Sequence, residues 1–272
     1  PSFSVKELHV DETAIGIAIA IYSLVQMLFN PILGKYSDKQ GRKPVIVVCL
    51  LVNALGYLVF SFTHSYLMLI ISRVIAGIGG SSIAVAQAYI ADVTTTENRS
   101  KGMGLIGAAF GLGFVFGPLI GGLLSNYGYA VTGYVSAVFS LIAFILTIIY
   151  LPESLKKKEV LENPSHRQRR KLFDFKAMNE ILKKPDLAVL IMLFFILTFS
   201  FANIYGTFAL LGIKVYGFTD MQNGYMYGIV GLSSAIIQGG LIGKINKMFS
   251  KKMVLIIGSL MMMIALAMIP YG

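Results

Sequence analysis

Long apolar stretches alternate with short polar ones along this chain, and the apolar stretches exceed what strands or core helices need. No Asp, Glu, Lys or Arg occurs at residues 13–34, 102–152, 187–213, 221–243 or 253–272. A helix crosses the hydrocarbon layer with about 20 apolar residues, so several of these windows each supply a span. The 51 residues from 102 to 152 supply two, with Ser125-Asn126-Tyr127-Gly128 as the turn. The pattern predicts eight spans, near 14–36, 44–62, 66–91, 103–125, 130–151, 187–212, 223–245 and 253–270. This is an all-α polytopic membrane protein.

Composition strengthens that reading. Hydrophobic residues make up 56% of the chain and charged residues 13%, about half the roughly 25% of a soluble domain. Such a chain cannot cover a globule with polar surface, which excludes a water-soluble enzyme. A net charge of +10 would suggest nucleic acid on a soluble protein. Here its placement matters more, and the expected partner is the lipid bilayer, with no nucleic acid.

Of the 23 Lys and Arg, 20 fall on alternate loops. They are Lys35, Lys39, Arg42 and Lys43, then Arg99 and Lys101, ten between 153 and 186, and finally Lys244, Lys247, Lys251 and Lys252. The opposite loops carry only Lys6 and Lys214. The positive-inside rule places the rich side in the cytoplasm and residue 1 outside, in a cell inner (plasma) membrane. The first thirteen residues lack a signal-peptide pattern, so an outside start implies an earlier span. The lone Cys49 has no disulfide partner in the chain.

The division that follows is a first bundle at 1–151, a basic linker at 152–186 and a partial second bundle at 187–272. The linker reads either as a solvated connector or as an interfacial helix with Phe175, Met178, Ile181 and Leu182 against anionic lipid. An internal repeat relates the bundles. Residues 34–45 align without a gap onto 243–254, an offset of 209 residues and six spans. Both copies leave one apolar span and enter another on the same side. Six-span repeats in one orientation are the pattern of transporters whose halves rock about a central site. The chain then holds spans two to nine of twelve.

Three motifs resemble the major facilitator superfamily. Gly34-Lys35-Tyr36-Ser37-Asp38-Lys39-Gln40-Gly41-Arg42-Lys43-Pro44 resembles the loop signature between spans two and three. Arg73, followed by Gly77, Gly79 and Gly80, resembles the span-four pattern. Gly113, Gly117, Pro118, Gly121 and Gly122 resemble the span-five signature of the antiporter branches. With Asp92, Arg99 and Gln238-Gly239, the chain is similar to twelve-span drug:proton antiporters, and within these to tetracycline-efflux-like members.

The resemblance implies a major facilitator fold, truncated to about eight helices, with a small-molecule substrate and protons as coupling ion. It implies that Asp38, Arg42 and Arg99 form a cytoplasmic network holding the halves together, within the motif Gly34, Asp38, Gly41, Arg42 and Lys43. The alternative is a topogenic basic loop. The shaped turn expected from Gly34, Gly41 and Pro44 favours gating. In the second copy Lys247 replaces Asp38 and Ser250 replaces Gly41, so the halves contribute unequally.

Arg73 is the one formally charged residue inside a span. At the centre of a lipid-exposed helix it would cost about 2.5–3.5 kcal/mol, so it should face protein or a cavity. One reading puts it at the substrate or coupling site, stabilising an ionised acid on an earlier span. The other makes it a structural Arg bonded to carbonyls.

Span-five glycines four apart permit close helix approach, and Pro118 can bend the axis. Tyr22, Gln26 and Asn30 form a stripe on span two, while Gln87, Asn203, Tyr205, Thr207 and Gln238 sit in later spans. Each reads either as a bond to a neighbouring helix or as a polar anchor in a mostly apolar cavity.

No Asp or Glu lies inside a span, so coupling rests on the resemblance, whose carboxylates often occupy spans one and ten. Neither a metal cluster nor a phosphate-cradling loop is evident, so no metal or cofactor is expected. The leading expectation is a non-enzymatic exporter of a hydrophobic or amphiphilic compound. The alternatives are a transporter of a metabolite such as a sugar or organic acid, and a non-transporting receptor or scaffold.

Overall fold

The computed structural model describes residues 11–95, 98–155, 179, 180, 182–237, 241, 245 and 248–268. Among these, all extended regular structure is helical: α1 (Glu12–Gln40), α2 (Arg42–Ser61), α3 (Tyr66–Gly80), α4 (Ser82–Val93), α5 (Arg99–Ser125), α6 (Tyr129–Tyr150), α7 (Pro185–Lys214), α8 (Asp220–Ile236) and α9 (Lys251–Met268). Among the described residues, five stretches are long and apolar enough to cross a membrane: Thr13–Gln40, Arg42–Ser61, Tyr66–Val93, Lys101–Ser125 and Tyr129–Tyr150. Two shorter apolar helical stretches, Leu187–Asn203 and Lys252–Met268, lie where two further spans are expected. Large apolar side chains point outward along them, with Leu105 71% and Phe194 73% exposed, which suits lipid rather than water.

Local chemistry sets the helix ends. Asp11 accepts a hydrogen bond from Ala14 N at 2.9 Å and starts α1. Ser65 does the same for Met68 N at α3, and Thr219 with Gln222 forms a capping box at α8. Each satisfies an N–H group left without an intrahelical partner. Gly128 joins α5 to α6 at φ 104°, a conformation that favours glycine.

Two boundaries differ from the sequence reading. The turn expected from Gly34, Gly41 and Pro44 narrows to Gly41 alone, at φ 105°. Gly34 continues α1 to Gln40, and Pro44 sits in the first turn of α2, where no intrahelical N–H bond is lost. The span expected at 66–91 is present as Tyr66–Val93, with a break at Ser81 that divides it into α3 and α4. Ser81 is fully buried and donates from Oγ to Gly77 O at 3.2 Å. Gly79 lies against the backbone of Asn53, where an added methyl group would meet Asn53 N at 2.6 Å.

The first bundle packs through small residues and short polar bridges. α2 runs against α3 where Gly56 meets Ala76, and against α6 where Gly133 meets Tyr57, Phe60 and Ser61. Ser140 Oγ donates to Leu50 O at 2.9 Å across that second contact. Val45, Ile46, Cys49, Val85 and Tyr89 form a core between α2 and α4. α8 lies antiparallel along α5, in the most extensive helix-to-helix contact among the described residues. Residues 243, 244, 246 and 247 of the second repeat copy fall outside the described residues, as does the linker at 156–178, including Phe175 and Met178; Ile181 also lies outside them.

Candidate functional site

At the basic end of the bundle, one arginine collects four elements. Arg42 is the first residue of α2, yet it is only 7% exposed. Its Nη1 donates to Ser37 Oγ at 2.6 Å and Gly34 O at 3.3 Å, and pairs with Asp38 Oδ1 at 2.6 Å. Its Nε donates to Asp92 Oδ2 at 2.9 Å. The planar guanidinium suits this because its donors diverge in fixed directions. Ser37 is fully buried and passes the contact on, donating to Gly34 O at 2.6 Å. The arginine thereby ties the end of α1 and the start of α2 to the end of α4.

The fourth element is the segment after α6. Glu153 Oε1 accepts from Arg42 N at 2.9 Å, and its Oε2 accepts from Lys43 N at 3.1 Å. A carboxylate on the free N–H groups of a helix start is favoured by hydrogen bonding and by the helix dipole. Gly41 makes this possible, since a methyl group there would collide with the Glu153 carboxylate. Ser154 Oγ donates to Asp92 Oδ2 at 3.3 Å, and Lys43 Nζ donates to Ile148 O at 2.8 Å. Arg99 lies beside this cluster, donating from Nη2 to Ala91 O at 3.1 Å.

Arg73 sits one turn before Gly77 on α3 and is half-buried. Its guanidinium carbon stands 4.9 Å from the centre of the Phe60 ring, and its Nε donates to Ser72 Oγ at 3.4 Å. Among the described residues no carboxylate forms an ion pair with it. The face that continues from it holds Gly77 and Gly80 against α1. Gln26 Nε2 donates to Gly80 O at 2.9 Å, and an added methyl at Gly80 would meet Tyr22 OH at 2.5 Å. Tyr22 and Gln26 therefore line the α1·α3 contact. Asn30 is half-buried on the same stripe, whereas Gln87 and Asn203 are exposed. Gln238 lies outside the described residues.

The glycines of α5 divide into two faces, which the four-residue spacing did not reveal. Gly113 and Gly117 have open space beside them, and Gly121 approaches only a methyl of Thr132, at 4.0 Å. The close contact runs along Val115, Pro118 and Gly122. A methyl at Gly224 would sit 2.8 Å from Pro118 O, and one at Gly122 would sit 3.0 Å from Asp220 O. Pro118 has no N–H to offer the Phe114 carbonyl. That carbonyl lies under Gly231, where a methyl would stand 2.8 Å from its oxygen.

Glu153 is the site residue that the sequence reading missed. Its signal was local: the first charge after a 51-residue window without one, directly behind Pro152. Among the described residues, no group of three or more His, Cys, Asp or Glu could hold a metal ion.

Apolar exteriors, a charged cluster at one end and a small-residue seam between helices define a multi-pass helical membrane protein. The chain belongs to the Major Facilitator Superfamily, whose profile matches residues 1–272. It is 38% identical over 151 residues to the class H tetracycline resistance protein of Pasteurella multocida, covering 56% of this chain and 38% of that protein. It is 29% identical over 273 residues to multidrug resistance protein 2 of Bacillus subtilis, covering 98% of this chain and 67% of that one. Among solved structures, the human organic anion transporter MFSD10 (TETRAN) matches with TM-score 0.65 and 27% identity, over 83% of this chain and 56% of that chain. The chain thus spans well under the full length of several proteins it matches.

Proposed function

We propose that this protein is a secondary active transporter that exports a hydrophobic or amphiphilic drug, tetracycline-like compounds included, in exchange for protons. The observation that carries the reading is the run from Gly34 to Pro44 wound around Arg42, in a chain 38% identical over 151 residues to a tetracycline resistance protein. In this reading the basic end is cytoplasmic and residue 1 lies outside, as the loop charges favour. Asp38, Arg42 and Asp92, with Arg99 beside them, brace one half so that it moves as a unit during alternating access, and Glu153 locks the linker to the same unit. Tyr22, Gln26 and Arg73 supply polar anchors on the face between α1 and α3.

The test uses everted vesicles that contain the complete protein. An imposed proton gradient drives tetracycline movement, and an uncoupler abolishes it. Movement indifferent to the uncoupler overturns the antiport reading.

A second reading, transport of an organic anion, is favoured by Arg73, which has no ion-paired carboxylate among the described residues. The relative with a solved structure is an organic anion transporter by its title. Competition separates the two. If anionic compounds inhibit and Arg73→Gln removes that inhibition alone, the anion reading replaces the drug reading.

A further inference from the structure

At the end of the molecule opposite the basic cluster, a side-chain hydrogen bond crosses from one half to the other. Tyr129, the first residue of α6, donates from its phenol to Asp220 Oδ2 at 2.8 Å, and Asp220 is the first residue of α8. We propose that Tyr129 and Asp220 form a latch that holds the outer ends of the two halves together, and that its release admits the outward-open state. The proposal rests on the alternating-access reading and on the sidedness given with it.

Three observations support a latch over a simple helix start. Thr219 already caps α8, its Oγ1 accepting from Gln222 N at 3.2 Å, so the bond from Tyr129 to Asp220 is not what starts the helix. A carboxylate is a strong acceptor for a phenol. The contact behind the pair is also built to part. Gly122, Gly224 and Pro118 bring backbone close to backbone there, as a methyl at Gly122 would lie 3.5 Å from Gly224 Cα. Dispersion across such a seam loses a quarter to a half of its strength with a gap of about 0.5–1 Å. A directional hydrogen bond at its mouth then sets how often the gap opens.

The experiment reads opening directly, without transport. In the complete protein, reconstituted and with Cys49 replaced by Ser, Met221→Cys places a thiol at the edge of the seam, where Met221 is half-buried. A membrane-impermeant maleimide added from outside labels it faster as the seam opens. Tyr129→Phe and Asp220→Asn each raise the labelling rate on the order of ten-fold, the shift expected when a hydrogen bond to a charged group is lost. The double variant labels no faster than either single one. Tyr127→Phe, which alters an exposed ring two residues away, changes nothing.

Unchanged labelling in both single variants, or effects that multiply in the double variant, overturns the latch. If Asp220→Asn fails to insert, Tyr129→Phe alone carries the test, since it removes one oxygen and no volume of consequence. The transport reading fails separately, by absence of proton-driven drug movement in the unaltered protein.

Discussion

The two carboxylates on Arg42 should differ in worth, and in the order opposite to their distances. Asp38 approaches to 2.6 Å but its side chain is 51% exposed, whereas Asp92 stands at 2.9 Å with 25% exposed. Water screens the Asp38 pair, and exposed ion pairs contribute about 0.2–1 kcal/mol. A charge-assisted hydrogen bond shielded from water contributes about 1.5–3 kcal/mol. Double-mutant cycles on the complete protein, built from Arg42→Gln with Asp38→Asn and with Asp92→Asn, should give coupling near 0.5 kcal/mol for the first pair. The second should come out near 2 kcal/mol. Reversible unfolding in mixed micelles measures both. Arg42→Lys should lose most of the Asp92 coupling, because an ammonium cannot serve Ser37, Asp38 and Asp92 in fixed directions. Equal couplings, or a larger one for Asp38, would refute the idea that burial rather than proximity orders this cluster.

Three further outcomes follow from packing. Gly41→Ala should destabilise by about 1–3 kcal/mol, because φ 105° disfavours a side chain and the new methyl displaces Glu153. Glu153→Ala added to it should then cost little in the same unfolding assay. Gly231→Leu should force α8 from the freed Phe114 carbonyl. Its overpacking cost is about 1–3 kcal/mol, and the sign of success is faster outside labelling at Met221→Cys with insertion intact. Phe60→Leu should lower stability by about 1 kcal/mol when Arg73 is present and by much less in an Arg73→Gln background, since the ring's contribution is the face it offers the guanidinium.

The helices were legible because a span announces itself by length and by the absence of charge, and neither depends on what the helix touches. The pieces that were not legible are tertiary. Glu153 reaches Arg42 N across 111 positions of chain, and nothing in its local composition names that partner. The glycine spacing at 113, 117 and 121 suggested a contact face, while the face used runs through 115, 118 and 122. Periodicity shows that a helix has a small side; it does not say which of two small sides meets a neighbour. The break at Ser81 was hidden for a similar reason. Gly79 and Gly80 are backed by Asn53, Tyr22 and Gln26, and that support from α1 and α2 replaces what an uninterrupted helix would supply.

The two ends of the molecule use different chemistry, and the difference bears on how the proposed cycle would run. Among the described residues, the strong contacts at the basic end join elements of the first bundle: Arg42, Asp38, Asp92 and Glu153 all belong to α1, α2, α4 or the segment after α6. Charge-assisted bonds around a buried guanidinium resist shear, so that half deforms little. Between the halves the contact is small residues on small residues along α5 and α8, where the attraction per atom pair is about 0.1–0.2 kcal/mol and fades quickly with distance. Stiffness within one body and a short-range joint to the next favour rotation about the joint over bending of the parts. The Gly122–Gly224 crossing would then act as the pivot or the lip of that rotation. Tyr129 and Asp220 lie at its outer edge, where the proposed bond acts directly against the parting of α5 from α8.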